Sequence, residues 1–313
     1  MSGNTLAGRD LLRLADLTSE EFSFVLETAA SQKRAWKAGA RESTCAGKAV
    51  AIIMEKPSLR TRTSFEVGVS RLGAQPIVMS DERSAFSRGE TVHDTTLVLE
   101  RFVDAIVLRT FKQSKVAEVA HWASVPVVNA LTDDFHPCQG LADALTILEH
   151  KGRLEGVKLA YVGDGNNMAN TYMELAALAK MDVAIGCPAG YWWNERVAAE
   201  SVARCRVTGG SLRFFDDLSA LDGADVVVTD TWTSMGDEAE HDARLAAFEG
   251  FQVDGAAMRR AAPDAIFMHC LPAHRGEEVA DEVIDGPASV VFDEAENRLH
   301  AQKALLSCLL GVA

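Results

Sequence analysis

The chain has 313 residues, 48% hydrophobic and 24% charged, a balance that fits a globular protein of two domains of about 150 residues each. Its formal net charge of −14 argues against a nucleic-acid partner, which calls for a basic face. A local cluster of arginines could still hold a small anion.

No apolar run reaches membrane-spanning length, and the first ten residues lack the apolar core of a secretion signal. Cys45, Cys138, Cys187, Cys205, Cys270 and Cys308 contain no Cys-x-x-Cys pair. That usage points to a reduced, cytoplasmic protein without a structural zinc site, and the lack of an apolar span argues against a membrane partner.

Short apolar runs alternate with helical patterns almost throughout, the signature of parallel α/β sheets. Thr18-Ser-Glu-Glu21 is a capping box that opens the first helix. The first strand is expected at 49–54. It leads into Lys56-Pro-Ser-Leu-Arg-Thr-Arg-Thr-Ser-Phe-Glu66, where a helix starts with Phe65, Val69 and Leu72 on one face. Ser58, Arg60 and Thr61 thus fall at a strand-to-helix turn, where free N–H groups and the helix dipole favour a phosphate. Arg60 adds a planar fork that grips two oxygens. Arg62 points elsewhere and, four residues before Glu66, is expected to pair with it. An ordinary capped helix with solvated arginines is the plainer reading of this segment by itself.

Further strands are expected at 76–79, 104–109 and 126–130. Arg109-Thr110 ends the second of these, and Phe135-His-Pro-Cys-Gln139 follows the third, with Pro137 suited to the first position of a helix. A polar, glycine-containing turn at 150–156 marks the expected seam between domains. The second half carries strand candidates at 158–163, 182–187, 211–215, 225–230, 265–269 and 289–292, and a last helix at 296–310. Gly163-Asp-Gly-Asn-Asn-Met168 follows the first, Asp230-Thr-Trp-Thr-Ser-Met-Gly236 the fourth, and His269-Cys-Leu-Pro-Ala-His-Arg275 the fifth.

A strand-end arginine is usually a surface charge, and a histidine before proline is usually a turn residue. Here every unusual polar cluster falls just past a strand, at the edge where open α/β sheets bind ligands. The Gly-Asp-Gly turn is not a dinucleotide fingerprint, because Met168 stands where the third glycine belongs. Paired asparagines suit an amino-acid carboxylate better than a pyrophosphate. His269, Cys270 and His274 fit no common zinc spacing.

Taken together, Ser-x-Arg-Thr-Arg, His-Pro-Cys-Gln, Gly-Asp-Gly-Asn-Asn-Met, Asp-x-Trp-x-Ser-Met-Gly, His-Cys-Leu-Pro-Ala-His-Arg-Gly and Glu-Asn-Arg-Leu-His-Ala-Gln-Lys resemble the ornithine carbamoyltransferases of the aspartate/ornithine carbamoyltransferase family. They occur in the family's order from about residue 10 to the end. The Ser-Met-Gly and His-Cys-Leu-Pro elements point to ornithine rather than aspartate.

The resemblance implies transfer of the carbamoyl group of carbamoyl phosphate to the δ-amine of L-ornithine, giving L-citrulline and phosphate. It implies two α/β domains, each an open, mostly parallel sheet flanked by helices. Residues 1–150, joined by the C-terminal helix at 296–313 packing back on them, would bind carbamoyl phosphate, and residues 151–295 ornithine. Carbamoyl phosphate would meet Ser58, Leu59, Arg60, Thr61, Arg109, His136, Gln139, Cys270, Leu271 and Arg298. Arg60, Arg109, His136 and Cys270 would be catalytic. Ornithine would meet Asn167, Asp230, Ser234 and Met235. No metal or organic cofactor is implied, because carbamoyl phosphate already carries an activated leaving group. A homotrimer, or a multiple of trimers, with shared active sites is also implied.

The chain departs from the pattern at Ala85, where many members carry a glutamine that reaches a neighbouring subunit's site. Loss of such a hydrogen bond costs about 0.5–1.5 kcal/mol. Rival readings are a carbamoyltransferase for putrescine or an acylated ornithine, and a catalytically silent binding protein.

Overall fold

In the computed structural model, which describes residues 5–41, 43–80, 89–234 and 238–313, the run Ala49–Met54 is a strand (β1) buried from Val50 onward. Such unbroken burial belongs to a parallel strand covered on both faces. β2 (Gln75–Ser80), β3 (Ala105–Arg109) and β4 (Val127–Leu131) join it in an all-parallel sheet of order β2-β1-β3-β4. The helices here are α1 (Ser19–Lys37), α2 (Leu59–Arg71), α3 (Val92–Leu99), α4 (Gln113–Trp122) and α5 (Pro137–Lys151). Ala51, Ile53, Ile106, Leu108, Val116, Val119 and Val127 pack one core between sheet and helices. Thr18 caps α1 as expected: its hydroxyl accepts from Glu21 N at 3.2 Å, and Glu21 accepts from Thr18 N at 3.0 Å.

A second all-parallel sheet has the order β7-β6-β5-β8-β9, from β5 (Lys158–Val162), β6 (Asp182–Gly186), β7 (Ser211–Phe215), β8 (Val226–Thr229) and β9 (Ile266–His269). Its helices are α6 (Asn167–Leu178), α7 (Glu195–Thr208), α8 (His241–Ala247) and the short α9 (Gly255–Met258) and α10 (Asp281–Ile284); α11 (Val291–Leu309) closes the chain. Val162, Val227, Phe267, Val279 and Val291 belong to its main core, and Trp232, Phe248 and Phe251 form a separate aromatic one.

By the distribution of contacts the chain forms two units, Met1–Leu145 with Glu296–Ala313, and Thr146–Ala295. The C-terminal helix packs on the first unit as the resemblance implied. Lys33 Nζ donates to Asn297 Oδ1 at 2.7 Å, Gln32 Nε2 to Ser307 Oγ at 3.0 Å, and Gly8 N to Leu309 O at 2.9 Å.

One expected strand is absent. Residues 289–292 make a single bridge to Phe267, with Phe267 N on Ala288 O at 2.8 Å and Val290 N on Phe267 O at 3.0 Å. The chain then turns helical at Val291, ahead of the start expected at 296. A four-residue apolar run carries no period that separates strand from helix. Here the alternation is that of a helix start, with Val291 buried and Phe292 exposed.

Both sheets have a switch point, where connections leave a strand toward opposite edges: between β1 and β3 in the first, between β5 and β8 in the second. Open α/β sheets bind ligands beyond the carboxyl ends at such points. The polar clusters after β1, β3, β5 and β8 sit there.

Candidate active site

In the first unit, Ser58 is the N-cap of α2, its hydroxyl accepting from Thr61 N at 3.2 Å. The cap leaves the helix start, with its positive dipole end, at the switch point. Leu59 is exposed, Arg60 half-buried and Thr61 buried. Arg62 turns outward, its Nε 3.5 Å from Glu66 Oε2, as its spacing predicted. A cavity of about 480 Å³ lies against the outward face of α2, lined by Trp36, Arg41, Glu66 and Arg71. It shares none of the anion-site side chains.

Arg109 ends β3 where the register to β4 shifts between Leu108 and Arg109, a local kink that re-aims the side chain. Its Nη1 donates to Thr61 Oγ1 at 3.3 Å. Arg298, on α11, donates to the same Oγ1 from Nη2 at 3.1 Å and to Gln139 Oε1 from Nη1 at 2.6 Å. Gln139 in turn donates to Asp143 Oδ1 at 2.8 Å. With its amide turned to satisfy its neighbours, Gln302 accepts from Arg298 Nη2 at 3.0 Å and from Nε at 3.1 Å. The arginines are therefore aimed by neutral oxygens of Thr61, Gln139 and Gln302.

His136 precedes α5, and its carbonyl accepts from Gln139 N at 3.0 Å. Burial first, then the charges of Arg298, Arg109 and Arg60, hold its imidazole well below its ordinary pKa. It is neutral at pH 7 and can donate a hydrogen bond to a carbonyl oxygen. The charges of three guanidiniums thus bear on one buried imidazole, a setting of positive potential. A phosphate there would be met by forked donors with little competing water. Cys138, two residues after His136, is no nucleophile: burial pushes its thiol up to about 12.

The second unit places Asp230 just past β8, 7% exposed. Its Oδ2 accepts from Asn166 Nδ2 at 2.9 Å, and its Oδ1 from Thr231 N at 2.8 Å and Cys270 Sγ at 3.1 Å. All three donors are neutral, so the carboxylate keeps its charge for a cation. Asn166 also caps α6, accepting from Met168 N at 2.8 Å. Asn167 and Ser234 are half-buried near these turns. Among the described residues, Cys270 is the one cysteine that is not buried.

Gly165 of the Gly-Asp-Gly turn serves packing. A Cβ on Gly165 would lie 2.3 Å from the carbonyl of Trp192, and Gly165 N donates to Tyr191 O at 2.9 Å. The turn after β6 presses against the turn after β5, where a dinucleotide fold would leave room for pyrophosphate.

At the end of β9, His269 spends both ring nitrogens inside the protein: Nδ1 accepts from Leu271 N at 2.9 Å, and Nε2 meets Glu278 Oε1 at 3.1 Å. Leu271 adopts φ of 59°, a left-handed conformation that is costly for a branched side chain and is met at sites where geometry matters more than strain.

The structure thus brings together Ser58, Thr61, Arg109, His136, Gln139 and Arg298 in the first unit, with Arg60 adding charge at His136 and Leu59 in the same helix turn. It brings together Asp230 and Cys270 in the second, with Leu271 beside Cys270 in the chain. Met235 and Ala85 lie outside the described residues. Sequence reasoning read Asn166 with Asn167 as amides suited to a carboxylate and missed that Asn166 holds Asp230; it also missed Gln302, which holds Arg298. Asn166 had a signal, since an asparagine before a helix-like run is a favoured cap.

Two family models match: "Aspartate/ornithine carbamoyltransferase, carbamoyl-P binding domain" over residues 9–149, and "Aspartate/ornithine carbamoyltransferase, Asp/Orn binding domain" over residues 155–309. The ornithine carbamoyltransferase of Symbiobacterium thermophilum is 51% identical over 308 residues, covering 98% of this chain and 99% of that protein. The anabolic ornithine carbamoyltransferase of Pyrococcus furiosus is 48% identical over 308 residues, covering 98% of each. A solved structure of ornithine carbamoyltransferase from Pyrococcus furiosus superposes with a TM-score of 0.95 at 48% identity, over 98% of this chain and 99% of that one. One from Gloeobacter violaceus gives 0.88 at 43% identity, over 98% and 100%.

Proposed function

The chain belongs to the aspartate/ornithine carbamoyltransferase family, and on that premise we propose that it is an ornithine carbamoyltransferase acting in arginine biosynthesis. It transfers the carbamoyl group of carbamoyl phosphate to the δ-amine of L-ornithine, yielding L-citrulline and phosphate. The observation that carries this reading is the convergence of Arg60, Arg109 and Arg298 around His136.

Residues 1–150 with 296–313 form the carbamoyl-phosphate domain, and residues 151–295 the ornithine domain. Ser58, Leu59, Arg60 and Thr61 hold the phosphate with Arg109 and Arg298, while His136, Gln139, Cys270 and Leu271 address the carbamoyl group. Asp230 pairs with the α-ammonium of ornithine, and Asn167, Ser234 and Met235 address its α-amino and carboxylate groups.

The deprotonated δ-nitrogen attacks the carbamoyl carbon. A C–N bond forms, the carbonyl oxygen takes up negative charge, and Arg60, Arg109 and His136 donate to it. The tetrahedral intermediate then collapses: the bond to the phosphate oxygen breaks, phosphate departs on its arginines, and the nitrogen releases a proton. The leaving group is already activated, so the chemistry asks for positioning and charge stabilisation.

The working form is a cytoplasmic homotrimer, or an assembly of trimers, in which neighbouring subunits share sites. No helix among the described residues is long and apolar enough to cross a membrane. A steady-state assay of citrulline formation, with putrescine and acetylornithine as competing acceptors, tests the reaction. Citrulline from ornithine at the highest kcat/KM is expected; no citrulline at saturating substrates overturns the reading. Light scattering tests the assembly, a trimer mass or multiple being expected and a monomer contradicting it.

A further inference from the structure

We propose that Arg244 is a positioning residue of the amino-acid site, tying together the turns that carry its ligands. The inference rests on the reading of the second unit as the ornithine domain.

Arg244 lies in α8, 8% exposed, and its partners come from three different strand ends. Nη1 donates to Asp164 Oδ2 at 2.9 Å, in the turn after β5. It also donates to the Trp232 carbonyl at 2.9 Å, in the turn after β8. The guanidinium carbon sits 4.9 Å from the ring centre of Tyr191, in the turn after β6. From its own side Nε reaches Glu240 Oε2 at 3.2 Å.

These contacts bracket the substrate-facing residues closely. Asp164 stands two residues before Asn166, which donates to Asp230. Trp232 stands two residues after Asp230 and two before Ser234. Below the guanidinium, Trp232 stacks on Phe248 at 5.2 Å and Tyr191 packs on Phe248 at 5.0 Å. One side chain therefore fixes the spacing between the turn holding Asn166 and the turn holding Asp230 and Ser234.

Charge adds a second role. The hydroxyl of buried Tyr161 is driven well above its ordinary pKa by burial first and then, among nearby groups, by both Asp230 and Asp164. Two carboxylates therefore act on one spot. Arg244 sets a positive charge against Asp164, shared with Glu240, whereas the partners of Asp230 are neutral. The pair leaves Asp230 as the carboxylate whose charge awaits the α-ammonium. Lysine cannot replace this fork, since it lacks the planar donors and the stacking face.

The test measures both Michaelis constants and kcat for the wild type, Arg244→Gln, Arg244→Lys, Asp164→Asn and the double variant Arg244→Gln/Asp164→Asn. Binding of norvaline, an ornithine analogue without the δ-amine, is followed in parallel by calorimetry. Arg244→Gln should raise KM for ornithine and Kd for norvaline by tenfold or more, with KM for carbamoyl phosphate within twofold of wild type. Asp164→Asn should raise the same constants, Arg244→Lys should restore little, and the double variant should be no worse than the worse single one. Equal rises in both Michaelis constants, unchanged norvaline binding, or strictly additive losses would overturn the proposal. If Arg244→Gln does not fold, Asp164→Asn and Arg244→Lys decide the matter by the same constants. Failure of the broader reading shows separately, as a wild type that makes no citrulline.

Discussion

In the first unit several guanidiniums are aimed by neutral oxygens, whereas in the second one carboxylate is held by neutral donors. In each arrangement these neutral partners orient the charge without cancelling it. The difference lies in what supports each. The cationic group stands on the ends of regular elements, at the start of α2, the end of β3, the start of α5 and within α11. The anionic group stands on turns, and turns need ties such as the Asp164–Arg244 pair. The first site is a rigid receptacle for an anion; the second is a set of loops held in register.

The largest effect expected from this contrast is at Arg60. Arg60→Ala should lower kcat/KM by about 10²- to 10³-fold, the loss typical of removing one charge-stabilising donor. A drop below tenfold, measured at saturating ornithine, would break the assignment of Arg60 to the reacting group. Next comes Asp230→Asn, which should raise KM for ornithine by about 10- to 100-fold, as for a lost hydrogen bond to a charged group. KM for carbamoyl phosphate should stay within about twofold, since its phosphate, the charged part of that substrate, is held by the other unit. Arg298→Lys should be milder, weakening carbamoyl phosphate by about tenfold, because a lysine keeps the charge and loses the fork that reaches both Thr61 and Gln139.

The pH dependence sharpens the same contrast. His136 has a folded pKa depressed by burial and by the three arginines, so it binds its proton less readily in the folded than in the unfolded chain. Its contribution is fully present above the unfolded pKa of about 6.5 and is lost as pH falls below it. Denaturation midpoints followed from pH 7 to 5 should therefore fall less steeply for His136→Gln than for wild type. An identical slope would mean that neither burial nor the arginines depress the pKa of His136. The smallest effect belongs to Arg62: its pair with Glu66 is solvent-exposed, and Arg62→Ala should change stability by no more than about 0.5 kcal/mol. A large loss of activity there would mean that the two arginines of the turn had been assigned the wrong way round.

Much of the first half was legible because its chemistry follows local rules. Ser58 and Arg60 sit at a strand-to-helix turn, and that position follows from apolar periodicity and capping chemistry alone. The role of Arg62 followed from helical spacing. Arg298 was legible only through family resemblance, since nothing local says that α11 brings it to Thr61. In the second unit the turn after β5 was found, but its wiring was not. Both asparagines were read as suited to a carboxylate and Asn167 was expected to face substrate, but the hold of Asn166 on Asp230 was not foreseen. The Asp164–Arg244 pair joins residues 80 positions apart, and sequence spacing carries no trace of it. The run at 289–292 was misread because four apolar residues are too few to show a period.

The most direct test of the division between the two units is calorimetric binding of carbamoyl phosphate to wild type, Arg60→Ala and Asp230→Asn. The account predicts that binding is lost in Arg60→Ala and kept within about twofold in Asp230→Asn. Retained binding in Arg60→Ala, or loss in Asp230→Asn, would contradict it.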